Sequence, residues 1–197
     1  MRRSRRAGVA LTRKAERIME RRPAPPGQHG VGRRPGKESD YGRQLSEKQR
    51  IRWYYDLTER QLRATYDRAR RRPGRAGENV IAALESRLAT VVLRAGFAAS
   101  IYAARQFVNH GHVTVDGAKV DIPSYLVRPG QTVAVRERSR RIPAFVAARE
   151  GGYADERDAA YLDVQREQLS VTLLHEPRRA QVPVGFNEQL LVEFYSR

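Results

Sequence analysis

The chain has 197 residues with 40% hydrophobic content, enough for one or two modest domains, and a formal net charge of +16. It has no cysteine, which excludes disulfides and thiolate metal sites, and no apolar run of membrane-spanning length. Such a charge destabilises a compact chain by self-repulsion unless a polyanion neutralises it, so nucleic acid is the expected partner, with a membrane surface as the weaker option.

The excess is uneven. Residues 1–75 carry 23 basic and 8 acidic groups, residues 76–150 carry 10 and 6, and residues 151–197 carry 5 and 8. The polyanion should therefore meet the first two thirds, and the last third reads as scaffold or a protein-facing surface. Arginine dominates the basic set, as suits bidentate phosphate contact and stacking. The N-terminus lacks the apolar stretch of a signal peptide, and a cytoplasmic location is expected.

The first eight residues offer nothing for a core, and Thr12 can cap a short helix that Pro23 stops. Pro23 to Gly30 is stiff and extended. With Arg3, Arg5, Arg21, Arg22, Gln28, His29, Arg33, Arg34 and Lys37 it forms either an RNA-hugging arm or a disordered tail. The arm reading expects residues 1–43 to be mobile alone and ordered on RNA.

Ser46 can cap a helix through EKQRIRWYYDL, and Thr58 with Gln61 has capping-box spacing. Trp53, Tyr54, Tyr55 and Tyr66 are expected mostly in the core, with Tyr54 or Tyr55 exposed. Tyr41, Lys48, Arg50, Arg52, Arg63, Arg70 and Arg71 are candidate RNA contacts. After Gly77, the spacing of Val80, Leu84, Leu88 and Val91 predicts one helix ending at Gly96.

Ser100 predicts a cap for Ile101–Asn109, with Gly111 ending that helix. Strands are expected at His112–Val115 and Thr132–Arg136, with a tight hairpin at Asp116-Gly117 and a turn at Pro129-Gly130. Arg87, Arg94, Arg105, Arg136, Arg138, Arg140 and Arg141 are the basic candidates here, and Tyr102 either stacks on RNA or packs. His110 and His112 lack a nearby third ligand for a metal, so they read as hydrogen-bonding to backbone or phosphate and supporting the turn. Residues 151–161 read as a surface loop leading to a short element near Tyr161–Val164, and NEQLLVEFYSR should dock rather than fray. No phosphate-cradling G-x-x-x-x-G-K-[ST] loop or G-x-S-x-G elbow occurs, so the chain does not read as an enzyme.

Several stretches together carry a resemblance: ERRP at Glu20–Pro23, PPGQHG at Pro25–Gly30, SDYG at Ser39–Gly42 and EKQR at Glu47–Arg50. LESRL at Leu84–Leu88, ARQ at Ala104–Gln106, HGH at His110–His112, IPSY at Ile122–Tyr125 and NEQLLVEFYSR at Asn187–Arg197 continue it in order. The chain resembles the family of the bacterial small-subunit ribosomal protein numbered four. The resemblance implies an α+β fold: a mainly helical N-terminal domain plus a small RNA-binding module of two short helices packed on short antiparallel strands. It implies a basic arm at 1–43, a helical domain of 44–86 completed by 175–197, and a second domain of 87–174 with the module at about 87–139.

The implied function is direct binding of small-subunit (16S) rRNA, nucleation of the subunit body and a contribution to translational accuracy. Implied partners are that rRNA, neighbouring ribosomal proteins met near Glu176 and Glu188, and mRNA near its entry; no membrane or small-molecule substrate is implied. The alternative is a stand-alone RNA-binding stress or ribosome-rescue protein, which needs only the module. Two departures from the family stand out. Many relatives hold zinc with four N-terminal cysteines, which are absent here, so no zinc or other cofactor is expected. Ile101 stands where relatives often have Arg, which shifts phosphate contact onto Arg105.

Overall fold

The computed structural model describes residues 2–22, 24–27, 39–153 and 159–197, and it divides into two compact units. One comprises residues 1–77 with 185–197, the other residues 78–184.

In the first unit, α1 (Arg2–Ala7) and α2 (Arg13–Arg21) form a short helical pair. Thr12 caps α2, its hydroxyl accepting from the Ala15 amide at 3.1 Å. The expectation that the first eight residues make no core is corrected: Ser4 and Ala7 are buried, and α1 packs on α2 and α3. Small side chains let it approach closely, which an apolar count does not register.

Helix α3 spans Asp40–Tyr54 and is capped by Ser39, whose Oγ accepts from the Gly42 amide at 3.1 Å. This corrects the expected start at Ser46, which lies exposed inside the helix. The inward stripe of α3 is Gln44, Glu47, Lys48, Ile51 and Tyr55. Because that stripe is largely polar, hydrophobic periodicity could not find the first two turns. Helix α4 (Glu59–Ala69) opens on the expected capping box of Thr58 and Gln61.

The C-terminal helix α9 (Glu188–Tyr195) docks on α3 and α4. Leu191 and Tyr195 are buried, and Phe186 packs edge-on to Tyr54 at 5.2 Å. Glu47 accepts from the Asn187 amide at 2.8 Å and from Arg50 at 2.6 Å. Glu193 accepts from Gln44 at 3.0 Å, and Glu59 accepts from the Tyr195 hydroxyl at 2.7 Å. Charge-assisted hydrogen bonds thus engage most of the polar stripe that α9 covers, while Oε1 of Gln44 is left without a partner. A Cβ on Gly77 would sit 2.7 Å from Cγ of Glu188, so this contact requires glycine.

The second unit starts from α5 (Ala76–Glu85) and α6 (Leu88–Arg94), which were expected as one helix. Ser86 donates to the Ala82 carbonyl at 2.8 Å, a back-bond that bends helices, and Arg87 is extended at ψ 137°. The segment 122–127 straps the break. The Leu88 amide donates to the Tyr125 carbonyl at 2.8 Å, Ala89 to Pro123 at 3.2 Å, and Val127 returns a bond to Ser86 at 2.8 Å. The first turn of α6 therefore finds acceptors 34 or more residues downstream, which outweighs the helical periodicity.

Helix α7 (Ile101–Asn109) begins at Ser100 as expected, and Gly111 follows it with φ +69°. The strands β1 (Val113–Val115), β2 (Ala118–Lys119), β3 (Thr132–Val135), β4 (Leu162–Gln165) and β5 (Ser170–Leu173) form an antiparallel sheet ordered β2-β1-β3-β5-β4. Val113, Val115, Val133, Val135, Leu162, Val171 and Leu173 are its buried residues, alternating along the strands. The β1–β2 turn places Asp116 at φ 50° and Gly117 at φ 82°, the geometry of a tight hairpin. The Asp116 carboxylate accepts from the Thr132 amide at 2.9 Å and Gln131 at 2.7 Å, fixing the turn to β3. Helix α8 (Pro143–Arg149) packs Phe145 against Phe107, with ring centres 4.6 Å apart.

Candidate nucleic-acid interface

In the first unit, cations fall into an internal set and an outward set. Lys48 is buried, 3.0 Å from Glu59 and 4.6 Å from the Phe194 ring centre. Arg50 is engaged by Glu47 and Arg52 by Glu59 at 3.4 Å. Burial pushes the Glu59 carboxyl up, but hydrogen bonds from Tyr195 and Lys48 and the charges of Lys48 and Arg52 prevail, holding it below its ordinary 4.5. Arg63 lies over the Tyr195 ring at 5.3 Å but is itself exposed and belongs to the outward set. Arg5 donates to the carbonyls of Ala24 at 2.9 Å and Pro25 at 3.2 Å, holding the chain that leaves α2. These side chains build the fold first.

The outward set has two groups. Arg3 is exposed on α1, and Lys14, Arg17 and Arg21 are exposed along α2, with Arg22 just beyond it. Sequence reading missed Lys14 and Arg17; their three- and four-residue spacing to Arg21 was the available signal. At the end of α4, Arg70 and Arg71 are exposed, and Arg70 is 3.6 Å from Asp67. Cations there also complement the carboxyl end of the helix dipole. Tyr41 is 52% exposed, its ring 5.9 Å from that of Phe194. Gln28, His29, Arg33, Arg34 and Lys37 lie outside the described residues.

In the second unit, α7 presents the outward face. Ile101, Ala104 and Val108 turn into the core, while Tyr102 is 41% exposed and Arg105 is half-buried. Ile101 is 3% exposed and packs into the core. Just beyond α7, His110 is exposed and His112 is half-buried, its Nδ1 3.0 Å from the Ser139 hydroxyl. Burial, then the charges of His110, Arg138 and Arg136, hold the His112 imidazole below its ordinary 6.5. Neighbouring cations that disfavour a further proton mark a locally positive surface.

Arg136 donates to the Gly111 carbonyl at 3.2 Å, and Arg140 to Val135 at 3.3 Å. Both steady the short 3-10 turn after β3, from which Arg138 and Arg141 project into solvent. Arg94 and Arg87 are different. Arg94 is 8% exposed and makes a bidentate pair with fully buried Glu85 at 2.7 and 2.9 Å. The buried Tyr161 hydroxyl donates to the same carboxylate at 2.7 Å, and burial and that charge push its own ionisation well above the ordinary range. Arg94 is thus an internal tie, and Arg87 is 9% exposed at the strapped break between α5 and α6. Glu176 is exposed and Glu188 half-buried at the start of α9.

Among the described residues no group of three or more His, Cys, Asp or Glu side chains can hold a metal ion, and no helix is long and apolar enough to cross a membrane. The arrangement offers cations, an exposed aromatic ring and soft hydrogen-bonding groups.

A model described as the ribosomal protein S4/S9 N-terminal domain matches residues 1–85, and one described as the S4 domain matches residues 86–133. A small ribosomal subunit protein uS4 from Thermobifida fusca is 61% identical over 194 residues, covering 98% of this chain and 95% of its own. Proteins of the same name from Tropheryma whipplei and Streptomyces avermitilis are 52% and 50% identical, covering 98% and 100% of this chain and 95% and 96% of their own.

Proposed function

Because the chain belongs to the ribosomal protein S4 (uS4) family, a structural rather than an enzymatic one, we propose that it binds small-subunit rRNA directly, nucleates assembly of the subunit body and contributes to translational accuracy. The observation that carries this reading is the sorting of cations. Those facing inward are matched by Glu47, Glu59 and Glu85, whereas Lys14, Arg17, Arg21, Arg71, Arg138 and Arg141 face solvent. A surface cation set in such excess is stabilised by phosphate.

Arg105, Tyr102, His110, His112 and Arg138 are the proposed contacts of the second unit, and the α1, α2 and α4 arginines those of the first. Glu176 and Glu188 are the proposed meeting points with a basic neighbouring ribosomal protein, mRNA near its entry is a further partner, and the working location is the cytoplasmic ribosome.

Filter binding of a small-subunit rRNA fragment across salt concentrations tests the reading. Log affinity should fall linearly with log salt, with a slope of several units at about 0.7–0.9 per phosphate. Arg105→Ala should lower the slope by about one. A flat salt dependence of the wild type overturns the proposal. Gradient fractionation separates it from stress-only action, since a constituent is stoichiometric in every small subunit.

A further inference from the structure

Helix α3 has a second stripe, on the side opposite to the one α9 covers. Leu45, Gln49, Arg52 and Trp53 line it, and Arg6 of α1 closes it, forming a groove of about 520 Å³. That volume lies within the roughly 300–1,000 Å³ usual for small-molecule sites. All of these residues belong to the first unit.

The lining is unusual for a solvated helix face. Trp53, the chain's single tryptophan, is half-buried rather than packed away with Tyr55 and Tyr66. Oε1 of Gln49 and Nε of Arg52 are covered yet have no hydrogen-bond partner. The terminal torsion of a glutamine is soft, so Gln49 can turn an amide edge, one donor and one acceptor, into the groove. Exposed Arg2, Arg3 and Arg6 supply positive charge along α1. An indole, an amide edge and nearby cations match the three parts of a nucleotide: base face, base edge and phosphate. An acidic peptide would use only the cations.

We propose that this groove takes one unstacked base of a single-stranded RNA segment, stacked on Trp53, read at its edge by Gln49 and anchored through its phosphate by the α1 arginines. The inference rests on the proposed rRNA binding and deepens it, because it makes part of the affinity independent of salt.

Trp53 is its own reporter. The full-length chain is titrated with a small-subunit rRNA fragment, with inorganic polyphosphate and with free AMP. Tryptophan emission, acrylamide access and binding are followed together. The rRNA fragment should quench Trp53 and shield it, polyphosphate should bind without either effect, and AMP should not saturate the groove at comparable concentration. Trp53→Ala should weaken rRNA binding roughly 5- to 150-fold with an unchanged salt slope. Trp53→Phe should restore most of that loss, which separates stacking from damage to the fold. If rRNA binds while Trp53 emission and access stay constant, the pocket is refuted and the rRNA reading stands. If polyphosphate produces the same response, the occupant is not an RNA base; if AMP saturates as readily as rRNA, the groove takes a free nucleotide and the assignment to a base within a single-stranded RNA segment is overturned. If rRNA does not bind at all, both readings fall.

Discussion

Replacing Arg94 by Met should destabilise the second unit severely. The substitution keeps the aliphatic volume but takes the guanidinium away from the Glu85 carboxylate, which is 0% exposed and also accepts from the Tyr161 hydroxyl at 2.7 Å. Two charge-assisted bonds, at 2.7 and 2.9 Å, are lost together. Removing one partner of a buried ion pair costs about 3–5 kcal/mol, because an uncompensated charge remains. With a urea slope near 2 kcal/mol/M, mid-range for a small domain, the midpoint should fall by about 2 M. Tyr161→Phe removes a single donor and should cost about 1.5–3 kcal/mol. The informative control is the triple change Glu85→Leu, Arg94→Met, Tyr161→Phe. It removes all three members of this hydrogen-bonded cluster at once and should recover most of the loss, since well-packed apolar replacements of ion pairs are often neutral. Urea unfolding followed by hydrogen exchange over residues 78–184 reads all three. A loss below about 1 kcal/mol for Arg94→Met, or a triple variant no better than the single one, would refute the account of this pair as a buried tie.

Three further outcomes are expected. His112 titrates below its ordinary 6.5 in the fold, so the unfolded chain binds the proton more readily and stability should decline as pH falls through about 6.5; His112→Asn, which can keep a bond to Ser139, should flatten that decline in urea midpoints. Glu59 is the opposite case in mechanism: its lowered carboxyl contributes stability above 4.5 that is lost as pH falls through the folded value. Tyr195→Phe should cost about 1 kcal/mol at neutral pH and shrink this acid-sensitive part, which an acid titration by circular dichroism measures. Chelator should change neither folding nor rRNA binding, and stoichiometric zinc in elemental analysis would contradict this, because no thiolate exists to hold it.

Local signals were legible wherever local chemistry decides the structure. Thr12, Thr58 and Ser100 cap the helices expected of them, and the Asp116-Gly117 turn and its flanking strands fall as the alternation predicts. The fold class was legible from the same signals together with the ordered family stretches. What was hidden depends on partners distant in sequence. The break at Ser86-Arg87 lies inside a continuous helical pattern and exists because residues 123 and 125 offer their carbonyls to α6. The start of α3 was missed because its buried stripe is polar and made tolerable only by Asn187, Glu193 and Glu59. Among candidate contacts, Lys48 and Arg94 show the same limit: a cation in a sequence does not reveal the carboxylate that the fold brings to it. Trp53 was expected in the core with its aromatic neighbours, yet it is half-buried, on the face of α3 away from buried Ile51 and Tyr55.

The ends of the sheet bear on the time between synthesis and assembly. Its outer members are β2, two exposed residues with Lys119 beside Asp121, and β4, which carries Asp163 and Gln165 outward. A margin this short on one side and this polar on the other gives another copy little backbone to pair with. The surplus charge of +16 adds long-range repulsion between copies. Free copies of the chain are thereby kept from templating their own aggregation, and a polyanion that neutralised the surplus would remove the repulsion.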